Sequence, residues 1–126
     1  MGTDVHGYVE INGVELSGYS NWCKIVDIGL IVERNYDIFG LLFGVRAEPE
    51  VNGIAKKRGI PDGTSKPQDH NNKDLHGQTW IDWEEIVDVY PDLPKLRGWN
   101  LIFSIMEILF EQYGKKSTRL VVSFDN

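Results

Sequence analysis

Apolar and polar positions alternate from the start of the chain. Val5, Val9 and Ile11 fall on one side of an extended segment and His6, Tyr8 and Glu10 on the other. Asn12-Gly13 suits a two-residue primed turn, which predicts a hairpin with Ile11 facing Val14, Val9 facing Leu16, and a polar outer face carrying His6. Trp22 to Ile28 alternates in part, and Gly29 breaks it before Leu30-Ile31-Val32. Asn35 is placed to cap a helix over Tyr36 to Phe43, with Asp37 in the first turn where the helix dipole favours an anion. Ile38, Phe39, Leu41, Leu42 and Phe43 surround that helix with apolar groups, the mark of a buried helix.

From Ala47 to Thr79 the periodicity fades, and Pro49, Gly53, Gly59, Pro61, Gly63, Pro67 and Gly77 punctuate a long polar stretch. Loops of this length in compact domains tend to serve function, so the 47–79 segment is expected to carry a site. Asp82 followed by Glu85 forms a capping box for a helix reaching Tyr90, which Pro91 stops. Asp92 and Pro94 are expected to open a last helix that runs to Tyr113, with Gly114 just beyond its end.

In that helix Leu96, Trp99, Phe103, Met106, Phe110 and Tyr113 form one seam, and Leu101, Ile102, Ile105, Ile108 and Leu109 widen it. Only Arg97, Asn100, Ser104, Glu107 and Glu111 are left as a narrow polar stripe. An apolar arc this wide either sinks into its own core or packs in part against a second subunit, which makes a homo-oligomer, dimer or tetramer, through the 94–113 helix an expectation. Ser117 to Asp125 closes the chain as a strand with Leu120, Val122 and Phe124 on one face. The expected architecture is one α+β domain, residues 1–126, whose antiparallel sheet comprises the N-terminal hairpin, the third extended stretch and the last strand, covered by two or three helices.

Composition narrows the chemistry. The 126 residues include 13 Lys and Arg against 19 Asp and Glu, a net charge of −6, which argues against binding long nucleic acid through its phosphates. Cys23 is the single cysteine; beside a histidine it would serve as a nucleophile, but a half-buried packing residue is the expectation. With no internal disulfide possible and no signal-peptide pattern at Met1-Gly2-Thr3-Asp4, a cytoplasmic protein is expected. The longest apolar or glycine run, Ile38 to Val45, is far short of the roughly 20 residues that span a bilayer.

Several residue types suit a small anionic ligand. Arg34 precedes the helix whose N-terminal amides favour an anion, and Arg46 follows it. Either arginine is equally served by a nearby carboxylate such as Glu33 or Glu48. Lys56-Lys57-Arg58-Gly59 and the turn Pro61-Asp62-Gly63 offer charge and free amides, or simply a solvated loop. Tyr36 and Trp80 have flat faces that stack on bases, although such rings more often belong to a core. His70 and His76 lie near Asp69 and Asp74, with Asp4 and His6 as further donors, but their spacing matches no zinc motif. No metal or cofactor is expected. Walker, nucleophile-elbow, dinucleotide-glycine and His-Glu-x-x-His patterns do not occur.

Taken together, Met1-Gly2-Thr3-Asp4-Val5-His6, Arg34-Asn35-Tyr36-Asp37-Ile38-Phe39, Gly44-Val45-Arg46, Arg58-Gly59-Ile60-Pro61-Asp62, Asp74-Leu75-His76 with Trp80, and Phe124-Asp125-Asn126 resemble the viral anti-CBASS sponge proteins. These small phage-encoded proteins sequester cyclic dinucleotide signals of host antiviral defence, as oligomers and without cleaving them. The resemblance spans the chain, except that Gly77 stands where the motif after the histidine carries a hydroxyl. It implies that Arg34, Tyr36, Arg46, Arg58, His76 and Trp80 contact a ligand such as 3′,3′-cGAMP, with Arg34 and Arg58 on phosphate and Tyr36 and Trp80 on bases. Two rival expectations remain: a phosphodiesterase acting through His6, His70 or His76, and a phage inhibitor of a protein partner that uses the exposed part of the last helix.

Overall fold

A computed structural model describes residues 2–13 and 22–126. Four strands, β1 (Asp4–Asn12), β2 (Trp22–Asp27), β3 (His76–Asp82) and β4 (Thr118–Asp125), form an antiparallel sheet in the order β2-β1-β4-β3. Among the described residues three α-helices accompany it: α1 (Tyr36–Phe43), α2 (Trp83–Val89) and α3 (Arg97–Tyr113). Short 3-10 turns lie at Pro67–His70 and Tyr90–Asp92. The architecture is α+β, as the alternation of strand and helix patterns predicts.

The pairing of β1 differs from the expected tight hairpin. Val14 and Leu16 lie outside the described residues, but Val9 and Ile11 pair with Val26 and Cys23 on one edge and with Leu120 and Thr118 on the other. Both hydrogen-bonding edges of β1 are therefore used, and the Asn12-Gly13 signal sets no strand register among the described residues. Gly7 is needed at the centre of this arrangement, because a Cβ there would lie 2.1 Å from the Val121 carbonyl oxygen of β4.

The core lies between the sheet and the helices. Val5 and Val9 of β1 and Leu120, Val122 and Phe124 of β4 meet Ile38, Phe39, Leu42 and Phe43 of α1 and Trp99, Ile102, Phe103 and Met106 of α3. Phe39 is central, with its ring against both Trp99 and Phe124. Helix α1 begins as expected, the Asn35 side chain accepting a hydrogen bond from the Ile38 N–H at 3.0 Å. It ends at Gly44, whose φ of 67° supplies the left-handed turn that closes the helix.

Three further expectations change. The 47–79 segment is not all loop, for β3 starts at His76 and pairs with β4 after an irregularity between His76 and Thr79 that includes Gly77. Gly77 hid this strand by interrupting its alternation. The last helix starts at Arg97 rather than at 94, because the 3-10 turn at Tyr90–Asp92 absorbs Pro91 and the chain is still extended at Leu96. Cys23 is exposed on the edge strand β2, so it is not a packing residue.

Away from the exposed His6, the outer face of the sheet is not a solvated face. Tyr8 and Glu10 are buried at 1% and 0% exposure beneath the segment from Pro61 to His70, and Arg119 and Ser123 of β4 are buried beside them. Among the described residues, no helix is long and apolar enough to cross a membrane.

Candidate functional site

Antiparallel pairing of β1 with β4 sets Asp4 opposite Asp125, which brings the two ends of the described chain together at one end of the central strand pair. Four of the sequence-derived candidates gather there. The Arg34 Nε and Nη2 donate to Asp4 Oδ1, each at 2.8 Å. The Arg46 Nε donates to Thr3 Oγ1 at 2.9 Å, and its guanidinium lies 5.3 Å from the Tyr36 ring centroid. The Tyr36 hydroxyl accepts from the Thr3 N–H at 3.0 Å. His76 Nε2 lies 3.2 Å from Asn126 Oδ1, to which the Thr3 hydroxyl also donates.

Local backbone explains part of this convergence. Gly44 ends α1 with a left-handed turn, and Arg46 itself has a φ of 54°, a conformation uncommon for a residue with a side chain. The chain thus reverses within three residues, so Arg34 before α1 and Arg46 after it reach the same terminal segment. The paired charges shift each other: the hydrogen bond from Arg34 holds the Asp4 carboxyl below its usual range, and the same bond raises the Arg34 guanidinium.

Next to this cluster lies an open depression of about 1180 Å3 on the outer face of the sheet. Its wall includes His6, Asp125 and Asn126 on the cluster side, Tyr8, His70 and Ser123 on the floor, Asp69 from the covering segment, and Asp74 just beyond it. His6 is bonded to Asp125. His70 is 7% exposed and sits between two hydroxyls, with Nδ1 2.8 Å from Ser123 Oγ and Nε2 3.0 Å from Tyr8 Oη. Burial lowers the His70 pKa, favouring the neutral ring, and pushes the Tyr8 phenol up to about 12.

Tyr8 links this floor to a second buried group. Its hydroxyl meets Thr64, which donates to Glu10 Oε2 at 3.1 Å; the Ser65 N–H and hydroxyl reach the same oxygen. Arg119 Nε donates to Glu10 Oε1 at 2.7 Å, and its guanidinium lies 3.5 Å from the Trp22 ring centroid. Polar contacts therefore run from Ser123 to Arg119 under one covering segment.

Arg58 and Trp80 do not join Arg34. The Arg58 guanidinium binds Glu85 with both terminal nitrogens, at 2.8 and 2.6 Å, and lies 4.9 Å from the Trp80 ring centroid. Trp80 pairs with Val121, four residues and about 13 Å along β4 from Asp125. The expectation that Arg34, Arg58 and Trp80 converge within one chain is corrected by this spacing. Pairing with Glu85 raises the Arg58 pKa and lowers that of Glu85.

The histidines separate as well. His6 lies at the rim of the depression and His70 on its floor, while His76 belongs to the terminal cluster. Among the described residues no group of three or more His, Cys, Asp or Glu side chains is arranged to hold a metal ion. Sequence reading missed Thr3 and Asn126 as the hubs of the cluster and the Glu10–Arg119 pair. Thr3 and Asn126 carry no local pattern, whereas Glu10 and Arg119 are opposite charges that become legible once β1 is known to pair with β4. No family model, curated protein or solved structure matches this chain.

Proposed function

We propose that this protein is a phage immune-evasion factor that acts in the host cytoplasm by binding a cyclic dinucleotide such as 3′,3′-cGAMP and holding it intact. The reading joins the sequence resemblance to one observation: Arg34, Tyr36, Arg46 and His76 are tied to Thr3, Asp4 and Asn126, and Asn126 also borders the 1180 Å3 depression. Guanidinium forks suit the bridging phosphates, and a ring with a cation over one face suits a stacked purine. The carboxylates Asp69, Asp74 and Asp125 disfavour phosphate within the depression itself but accept hydrogen bonds from base N–H groups. The phosphates therefore belong at Arg34 and Arg46, and a base edge faces the depression. Arg58 and Trp80 stay outside this site unless a second copy supplies them.

Incubation with excess 3′,3′-cGAMP followed by chromatography tests the reading. Ligand recovered intact, together with a thermal shift of the protein, is the expected result. Linear product beyond one equivalent would establish the phosphodiesterase instead, and the absence of a thermal shift across a panel of cyclic nucleotides would end the nucleotide reading. Arg34→Ala is expected to weaken binding at least about tenfold by titration calorimetry, the scale of one hydrogen bond to a charged group. Hydrolysis through His70 has less support, since both of its ring nitrogens are already engaged by hydroxyls.

A further inference from the structure

The outward face of α3 carries an apolar centre and oppositely charged ends. Leu101 is 51% exposed and Ile108 60% exposed, with half-buried Ile105 between them. At 100° per residue, Arg97, Leu101, Ser104, Ile108 and Gln112 follow one line opposite the buried Trp99, Phe103 and Met106. Arg97 stands at one end of the line and Glu111 beside the other, and neither has an ion-pair partner among the described residues.

We infer that this face is a homodimer interface in which α3 packs against α3 of a second copy, antiparallel, across a two-fold axis near Ser104 and Ile105. Charge decides the direction. Side by side in parallel, Arg97 would meet Arg97 and Glu111 would meet Glu111. The antiparallel arrangement sets Arg97 of each copy against Glu111 and Gln112 of the other, and Leu101 against Ile108, so each contact is made twice.

The line borders a shallow hollow of about 600 Å3 formed by Ile31, Glu33 and the first turns of α3. In the antiparallel pair the last turn of the second helix faces this hollow. Helix α3 is about 25 Å long, enough for the contact to extend over both ends of the line. This inference stands apart from the ligand reading, because no residue of the terminal cluster takes part in it.

Sedimentation velocity of the full chain, from micromolar to millimolar concentration, is expected to show a reversible dimer. Ile108→Glu should weaken it at least about a hundredfold, because the new carboxylate would be buried twice. Arg97→Glu should weaken it about tenfold by turning two attractive contacts repulsive, and the double variant Arg97→Glu with Glu111→Arg should restore it. Circular dichroism of each variant separates loss of association from loss of fold. A monomer at every concentration, or a dimer indifferent to Ile108→Glu, would overturn the interface. A double reversal no tighter than the single one would overturn its antiparallel sense.

Discussion

One face of the sheet is held by apolar contacts and the other by a polar network, yet the middle of each is buried. Towards the helices, Phe39, Phe124, Trp99 and Phe103 interlock ring against ring. Towards the Pro61–His70 segment, the contacts are Glu10 with Arg119, Thr64 and Ser65, and Tyr8 and Ser123 with His70. Apolar packing is non-directional and tolerates small shifts, while a buried ion pair holds its cover in one register or fails. The segment that covers Tyr8 and Glu10 is therefore positioned by partner geometry rather than by area.

Unequal repair of the two faces should expose this difference. Trp99→Ala is expected to cost about 3–5 kcal/mol in urea unfolding, and no single second substitution should recover it. Arg119→Met is expected to cost a similar 3–5 kcal/mol, because it leaves the Glu10 charge buried without its partner. Adding Glu10→Leu to Arg119→Met should recover most of that loss, since an apolar pair of similar volume replaces a buried ion pair at little net cost. A double variant as unstable as Arg119→Met would place the stabilisation in the Thr64 and Ser65 contacts instead.

A smaller effect is expected at the floor of the depression. Tyr8→Phe removes the hydroxyl shared by Thr64 and His70 and should cost about 1 kcal/mol in the same unfolding measurement, with a larger loss if His70 is left unsatisfied. The smallest effect concerns acid. The pKa of His70 is depressed in the fold from its usual 6.5, so the unfolded chain binds the proton more readily. Stability should be constant with respect to this group above that value and fall as pH drops below it, until the folded ring also titrates. Thermal melts of the wild type and His70→Gln between neutral pH and pH 5 should differ in slope, the variant being flatter.

The helix-packed face was largely legible in the chain. The Asn35 cap, the all-round apolar Tyr36–Phe43 helix, the Asp82–Glu85 box and the alternation of Leu120, Val122 and Phe124 all sit where local spacing puts them. The polar face was not, since Tyr8 and Glu10 read as solvent-facing and the residues that cover them lie more than fifty positions away. The candidate site divided in the same way. Arg34, Tyr36 and Arg46 were legible as a group because one short helix separates them, whereas His76 joins them only through β3 and Asn126.

By itself the sequence determined the residue inventory, the helix boundaries with local caps, and which side of β1 and β4 faces the helices, because each depends on neighbours a few positions apart. Tertiary structure alone decided that β1 pairs with β4, that Asp4 and Asp125 meet, and that Glu10 finds Arg119. Strand pairing is a competition among distant edges whose outcome rests on total burial rather than on any local pattern, and a charge reads as exposed until its distant partner is in place.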